Sequence, residues 1–183
     1  NKKLKIKSQT YQLNMKSNGQ LFYSNKEKKN LDLEIFKAIF VRQDPPYDMK
    51  YISNTYLLEQ LKKPLILNNP SELRNFPEKH IMMNFPDLTP ATLISSHENS
   101  LMEFIKKNKE VILKPAYGNG GLGIVKIDSK KRNMRNFLRK YINQFSNNPV
   151  IAQKFLKRFT KGDKRIILIN GDVVGAVLRV PQK

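Results

Sequence analysis

One stretch of this chain joins the residue types that phosphate chemistry needs: Val111-Ile112-Leu113-Lys114-Pro115-Ala116-Tyr117-Gly118-Asn119-Gly120-Gly121-Leu122-Gly123-Ile124-Val125. A short apolar run ends in a lysine, a glycine-rich loop follows, and a second apolar run closes it. Glycine lacks Cβ, so backbone N–H groups can approach an anion, and successive N–H groups form a concave nest. Lys114 adds a point charge suited to a phosphate. The pattern reads as strand, phosphate clamp, strand. It is not a Walker loop, because no Gly-Lys-Ser/Thr follows the glycines. Nor is it a dinucleotide fingerprint, because the element after the loop is β-like rather than a helix start. A plain β-hairpin with a glycine turn suits the same residues, and the segment alone leaves both readings open.

The rest of the inventory narrows the chemistry. There is no cysteine, hence no disulfide, thiolate nucleophile or cysteine zinc site. His80 and His97 are the only histidines. They argue against a histidine metal cluster and a Ser-His-Asp triad, and both read as non-catalytic. A length of 183 residues suits one domain or two small ones, and 39% apolar residues suffice for a core. No apolar run approaches the ~18 residues of a membrane span. Asn1 to Lys7 has no apolar segment of a signal peptide. The chain does not start with methionine, so a native N-terminus upstream is expected, and a cytoplasmic location suits the cysteine-free composition.

The net charge of +19 has three readings. Nucleic-acid binding is one, since basic side chains release counterions from phosphates. A small anionic ligand such as ATP or a peptide carboxylate is another. The third is compositional: lysine outnumbers arginine, and asparagine and isoleucine are abundant, as in proteins from AT-rich genomes. The basic groups are scattered through Lys2 to Lys7, Lys26 to Lys29, Lys130 to Arg139 and Lys154 to Arg165, with no interleaved aromatic platform. Each such run reads first as a solvated face, and Lys130 to Lys140 as one face of a surface helix.

Elements that could position the lysine and its loop alternate along the chain. Leu4 to Ile6 and Gln20 to Tyr23 are β-like. Ile35 to Val41 suits a buried parallel strand, ending in the rigid turn Arg42-Gln43-Asp44-Pro45-Pro46. Asp48 is placed to cap a helix bearing Tyr51, Ile52, Tyr56, Leu57 and Leu61. Pro64 to Leu67 reads as a short buried strand, and Ser71 as the cap of a helical turn. This is the pattern of an open α/β domain. From Glu78 a helix-like segment reaches Phe85, a β-like run spans Ala91 to Ser95, and Glu98 to Lys107 has helical spacing. Val150 to Leu156 follows, with Gln153 and Lys154 inside it, and Asn170-Gly171 between apolar runs predicts a type I′ hairpin. The second half is therefore antiparallel α+β, with a boundary near 75–78.

Several segments, in order, resemble the bacterial glutathione synthetases, which are ATP-grasp ligases. Arg42-Gln43-Asp44-Pro45-Pro46-Tyr47-Asp48 is similar to that family's Arg-x-Asp-Pro-Pro-Phe-Asp turn. Asn69-Pro70 through Leu73-Arg74 and Glu78-Lys79, then Phe85 through Thr89-Pro90, resemble its next stretches. Ile112-Leu113-Lys114-Pro115 with Gly118-Asn119-Gly120-Gly121 resembles its small glycine loop. Ala152-Gln153 to Leu156 and Gly162-Asp163-Lys164-Arg165 resemble its adenine hinge and following strand, and Arg179-Val180-Pro181-Gln182 the start of its large loop.

The resemblance implies an open α/β pre-ATP-grasp domain over 1–75. An incomplete α+β ATP-grasp domain follows, with a lid over 76–149 and the start of a C-terminal part over 150–183. It implies ligation of γ-glutamylcysteine to glycine by ATP through an acyl phosphate, with Mg2+ (or Mn2+) as the metal. The metal ligands are expected beyond Lys183, so the fragment as it stands is expected to be inactive. Lys79 and Lys114 would hold phosphates, Gly118, Asn119, Gly120 and Gly121 would cover them, and Gln153, Lys154, Phe155 and Leu156 would frame the adenine. Asp163 would reach the ribose or orient a charge. Arg165 and Arg179 would act at the reacting groups, and Arg42, Asp44 and Arg179 on the peptide. Tyr117 stands where the family often has an acidic residue and is given no role. A homo-oligomer is implied, with no nucleic acid or membrane. Another ATP-grasp carboxylate–amine ligase and a basic nucleic-acid binder are the alternatives.

Overall fold

From Glu110 to Pro115 the side chains alternate between half-buried and buried, as a strand with one face on a core requires. That strand is the centre of what this computed structural model describes, which is residues 5–23, 28–118 and 120–180. The chain divides into two units, one of residues 1–81 with 117–120, the other of 82–116 with 121–183.

The second unit carries a four-stranded antiparallel sheet. Its strands are β7 (Thr92–Ser95), β8 (Glu110–Pro115), β9 (Val125–Asp128) and β10 (Val150–Lys154), in the order β7-β10-β8-β9. Helices α3 (Glu98–Asn108) and α4 (Met134–Gln144) supply Leu101, Ile105, Leu138, Tyr141 and Ile142 to the core. They meet Val111, Leu113, Ile127, Val150 and Ala152 from the sheet. Each Val, Leu or Ile among them, fully buried, contributes about 1.5–3 kcal/mol. Alternation sends Ile112, Lys114, Ile151 and Gln153 to the opposite sheet face. β10 lies between β7 and β8, so a subdomain boundary drawn at 149/150 passes through the sheet. The last two strands, β11 (Asp163–Ile169) and β12 (Asp172–Arg179), form a hairpin. Its turn has Asn170 at φ 51° and Gly171 at φ 92°, as a type I′ turn needs.

In the first unit, β5 (Ala38–Phe40) and β6 (Leu65–Leu67) pair in parallel, connected through α1 (Met49–Glu59). Asp48 caps α1, its side chain accepting from the Tyr51 N–H at 2.9 Å. Arg74 on α2 (Pro70–Asn75) pairs with Glu59 at 2.6 Å and stacks on Tyr56 at 4.0 Å, tying α2 to α1. Two antiparallel pairs precede these elements. β1 (Lys7–Thr10) pairs with β4 (Lys29–Asp32), and β2 (Leu13–Met15) with β3 (Leu21–Tyr23).

Five sequence expectations change. The first strand begins at Lys7, after Ile6, and Leu4 lies outside the described residues. The strands expected to be buried at 35–41 and 64–67 are short and open: Phe40 is 70% and Leu65 61% exposed. Among the described residues that sheet is two strands wide, too narrow to bury both faces. Asn69, not Ser71, caps α2, accepting from the Ser71 N–H at 2.9 Å with Pro70 in the first turn. Residues 78–85 form a 3-10 turn over Ile81–Asn84 rather than an α-helix, because Pro86 disfavours helix at Phe85. The basic helix begins at Met134, so Lys130, Lys131 and Arg132 precede it, and Arg135 and Arg139 pair with Glu98.

Candidate functional site

The outward face of β8 and β10 carries a directed polar chain. The Lys114 ammonium donates to Gln153 Oε1 at 3.1 Å. The Gln153 amide donates to Thr92 Oγ1 at 2.8 Å, and that hydroxyl donates to the Pro90 carbonyl at 2.7 Å. The ammonium can only donate and the Pro90 carbonyl can only accept, and the Thr92 hydroxyl, its proton given to Pro90, accepts from the amide, so Gln153 is locked with its oxygen toward the lysine. Gln153 Nε2 also lies 3.4 Å from Met82 sulfur.

These groups border a cleft of ≈ 260 Å³ within the second unit. Pro90, Ile112, Ile124, Phe155, Leu156 and Phe159 supply apolar walls, and Lys114, Gln153 and Lys154 the polar ones. Such a mixture suits a flat aromatic body with an anionic tail. Of the hinge N–H groups, Lys154 is spent on the Ala91 carbonyl at 2.9 Å and Phe155 on the Glu110 carbonyl at 3.0 Å. Among the described residues the Leu156 N–H has no acceptor.

The glycine loop joins β8 to β9, as a phosphate clamp and a hairpin both require. Gly120 (φ 58°) and Gly121 (φ 78°) are left-handed, yet an added Cβ would meet nothing of the described residues within 4 Å at either. Their glycines therefore serve backbone conformation and leave open space outside the loop. Gly123 differs: a Cβ there would fall 2.6 Å from Phe145 Cζ. Its carbonyl accepts from the Tyr141 hydroxyl at 2.7 Å. Burial pushes the Tyr141 phenol up to about 12, which keeps it a donor. Asn119 lies outside the described residues.

In the first unit, Tyr117 stacks with His80 (5.3 Å between centroids) and Tyr47 (6.4 Å). Burial first, then the Lys79 charge, lowers the His80 pKa, and its buried Nδ1 has no hydrogen-bond partner among the described residues. Gly118 belongs to the same unit, and so do Lys79, which is half-buried, and Arg42 and Asp44, both exposed ahead of α1.

Among the residues singled out from sequence, Lys114, Gln153, Lys154, Phe155 and Leu156 thus come together at one cleft. Asp163 and Arg179 face each other across the β11–β12 hairpin and form an ion pair, the guanidinium Nε donating at 3.0 Å. Arg165 stands opposite Val177 and has no ion-pair partner among the described residues. Thr92, Gly123 and Tyr141 were not singled out. Gly123 continues the glycine run and was the readable one, whereas Thr92 and Tyr141 act through pairings distant in sequence. No group of three His, Asp or Glu side chains able to hold a metal occurs among the described residues. No helix among them is long and apolar enough to cross a membrane.

The chain is similar to known proteins. The family model for the prokaryotic glutathione synthetase N-terminal domain matches residues 1–74, and that for the prokaryotic glutathione synthetase ATP-grasp domain matches 78–183. The chain is 44% identical over 162 residues to a glutathione synthetase of Brucella melitensis biotype 1, covering 88% of this chain and 52% of the relative. It is 44% identical over 160 residues to one of Mesorhizobium japonicum, covering 87% and 51%. The chain spans about half the length of the relatives it matches. Among solved structures, the D-cycloserine synthetase DcsG matches with TM-score 0.66 at 12% identity, covering 82% of this chain and 54% of its own. A RimK domain ATP-grasp protein from Sphaerobacter thermophilus matches with TM-score 0.56 at 14% identity, covering 72% and 51%. At such identities these two likenesses speak for the fold alone.

Proposed function

Because the chain belongs to the prokaryotic glutathione synthetase family, we propose that the protein carrying it joins γ-glutamylcysteine to glycine, converting ATP to ADP and phosphate. The observation that carries this reading is the Lys114–Gln153 pair at the polar end of an apolar cleft, on the strand that feeds the glycine loop.

A carboxylate is a poor electrophile. In the proposed reaction the cysteinyl carboxylate takes the γ-phosphoryl group, ADP leaves, and the glycine amine attacks the acyl phosphate and expels phosphate. Such a reaction runs on positioning and on stabilising charge at the transferred group. It needs neither a thiolate nor a histidine base. Lys114, oriented by Gln153, holds a phosphate oxygen, and Lys79 holds another. Gly118, Asn119, Gly120 and Gly121 donate backbone N–H groups to the phosphates. The base enters between the apolar walls, with the Leu156 N–H as its donor. Asp163 holds Arg179, which reaches the peptide carboxylate, and Arg165 faces the transferring phosphoryl. Arg42 and Asp44 take the peptide, guanidinium forks being suited to carboxylates. The proposal includes a cytoplasmic homo-oligomer and a pre-ATP-grasp domain ahead of the ATP-grasp domain.

The donor set of the cleft fits ATP: apolar walls for a base and the Lys114 ammonium for a phosphate. The described residues do not fit a resident metal, since no cluster of three ligands occurs. Magnesium or manganese is proposed to come with the nucleotide, and no step above is routed through it.

The test is an assay of the complete protein with γ-glutamylcysteine, glycine, ATP and Mg2+. Glutathione and ADP should appear in equal amounts, and omission of either amino component should stop product. A folded protein that makes no glutathione from saturating substrates overturns the proposal.

A further inference from the structure

We propose that Lys126 is a positioning residue of the cleft: its ammonium fixes the Phe155 ring as the wall on which the nucleobase stacks. The inference rests on the nucleotide reading above. Lys126 on β9 is the register partner of Ile112 on β8, and Ile112 lines the cleft, so both belong to the cleft face of the sheet. The Lys126 ammonium sits 4.0 Å from the centroid of the Phe155 ring. At that distance it lies over the ring face and is attracted by the π quadrupole. The same ammonium pairs with the Glu110 carboxylate at 2.5 Å. Glu110 in turn accepts the Phe155 N–H at its own carbonyl, at 3.0 Å.

Phe155 is therefore held twice from one neighbour. The Glu110 backbone fixes its main chain, and the Glu110 side chain fixes the cation that fixes its ring. Lys157 adds a second, more distant cation to Glu110 at 4.0 Å. A benzyl side chain two residues past Gln153 and outside β10 would otherwise be free to turn about χ1. With one ring face taken by the ammonium, the ring offers its remaining surface to the cleft it lines. This gives Lys126 a role in base binding that is separate from phosphate binding, which falls to Lys114 and the glycine loop.

That separation makes the test. In the complete protein, affinities are measured for a non-hydrolysable ATP analogue and for inorganic tripolyphosphate, which has no base. Lys126→Met should weaken the ATP analogue about three- to tenfold and leave tripolyphosphate unchanged, while Lys126→Arg should stay close to the parent. In a Phe155→Leu background, Lys126→Met should add no further loss. The Lys126 side chain is 47% exposed, so the variants should fold, which thermal unfolding checks. Unchanged binding of the analogue by Lys126→Met overturns the inference, and so does an equal loss for both probes or a full further loss in the Phe155→Leu background. A parent protein that binds neither probe fails on the nucleotide reading itself, and that failure is visible before any variant is made.

Discussion

Lys114 and Gln153 sit diagonally across the β8–β10 pair, and the lysine ammonium donates to the glutamine amide oxygen at 3.1 Å. Ile151 is the direct partner of Lys114, and Ile112 that of Gln153. The diagonal is the separation at which long side chains on one sheet face meet. It gives the lysine a fixed direction before any ligand arrives, because Gln153 is itself locked by Thr92.

Removing the charge and removing its guide should therefore cost different amounts. Lys114→Ala should lower kcat/KM for ATP by about a hundredfold or more, the scale for losing a donor aimed at developing charge. Gln153→Leu keeps the charge but loses its guide, and should cost about tenfold. Steady-state kinetics with ATP as the varied substrate decides it. Near-normal turnover by Lys114→Ala sinks the phosphate role.

The two kinds of glycine in the loop should separate in stability. Gly123→Ala suffers both a left-handed φ of 76° and a 2.6 Å approach to the Phe145 ring. Overpacking of this kind costs about 1–3 kcal/mol in addition to backbone strain. Gly121→Ala meets no atom of the described residues and carries only the left-handed strain, about 1–2 kcal/mol. Urea unfolding should rank Gly123→Ala as the less stable variant. The opposite order contradicts the packing described here.

Lys114 and its glycine loop were legible in the sequence because their signals are local: an apolar run, a terminal lysine, then glycines. The Asn170-Gly171 turn was legible for the same reason. Thr92 was not, since its bond to Gln153 spans 61 residues and depends on which strand joins the sheet beside β10. The exposure of Phe40 and Leu65 was hidden too. An apolar run predicts a strand but not the width of the sheet around it. Ser71 was misread because Asn69 and Ser71 are both good caps, and only the Asn69 backbone, extended at ψ 127°, tells them apart. At the hinge the sequence places four residues together but cannot say that two of their N–H groups are already committed.

The cap assignment has its own consequence. Asn69 Oδ1 accepts from both the Ser71 N–H and the Ser71 hydroxyl, at 2.9 and 2.8 Å. Asn69→Ala should destabilise the first unit by about 1 kcal/mol, the usual loss for an N-cap. Ser71→Ala loses the hydroxyl bond to Asn69 but keeps the capped Ser71 N–H, and should cost less than half of that. Chemical unfolding of the two variants side by side gives the answer, and equal losses would return the cap to Ser71.

Tyr141 should mark the second unit at high pH. Its ring is 5% exposed and its hydroxyl donates to the Gly123 carbonyl at 2.7 Å. Burial raises the phenol from 10.0 to about 12 in the folded chain. Below pH 10 the proton is held in both states, and the contribution to stability is intact. Between pH 10 and about 12 the unfolded chain gives up the proton more readily, so stability falls as pH rises. Tyr47 in the first unit is also raised, by burial foremost, so Tyr141→Phe should shrink the alkaline loss rather than abolish it. At neutral pH the same variant loses one hydrogen bond, worth about 1 kcal/mol. Unfolding in urea near pH 7 and pH 11 separates the two effects. The parent should lose more stability between the two conditions than Tyr141→Phe does. An identical loss in both proteins would mean that the Tyr141 phenol titrates alike folded and unfolded, against the burial that raises it in the folded chain.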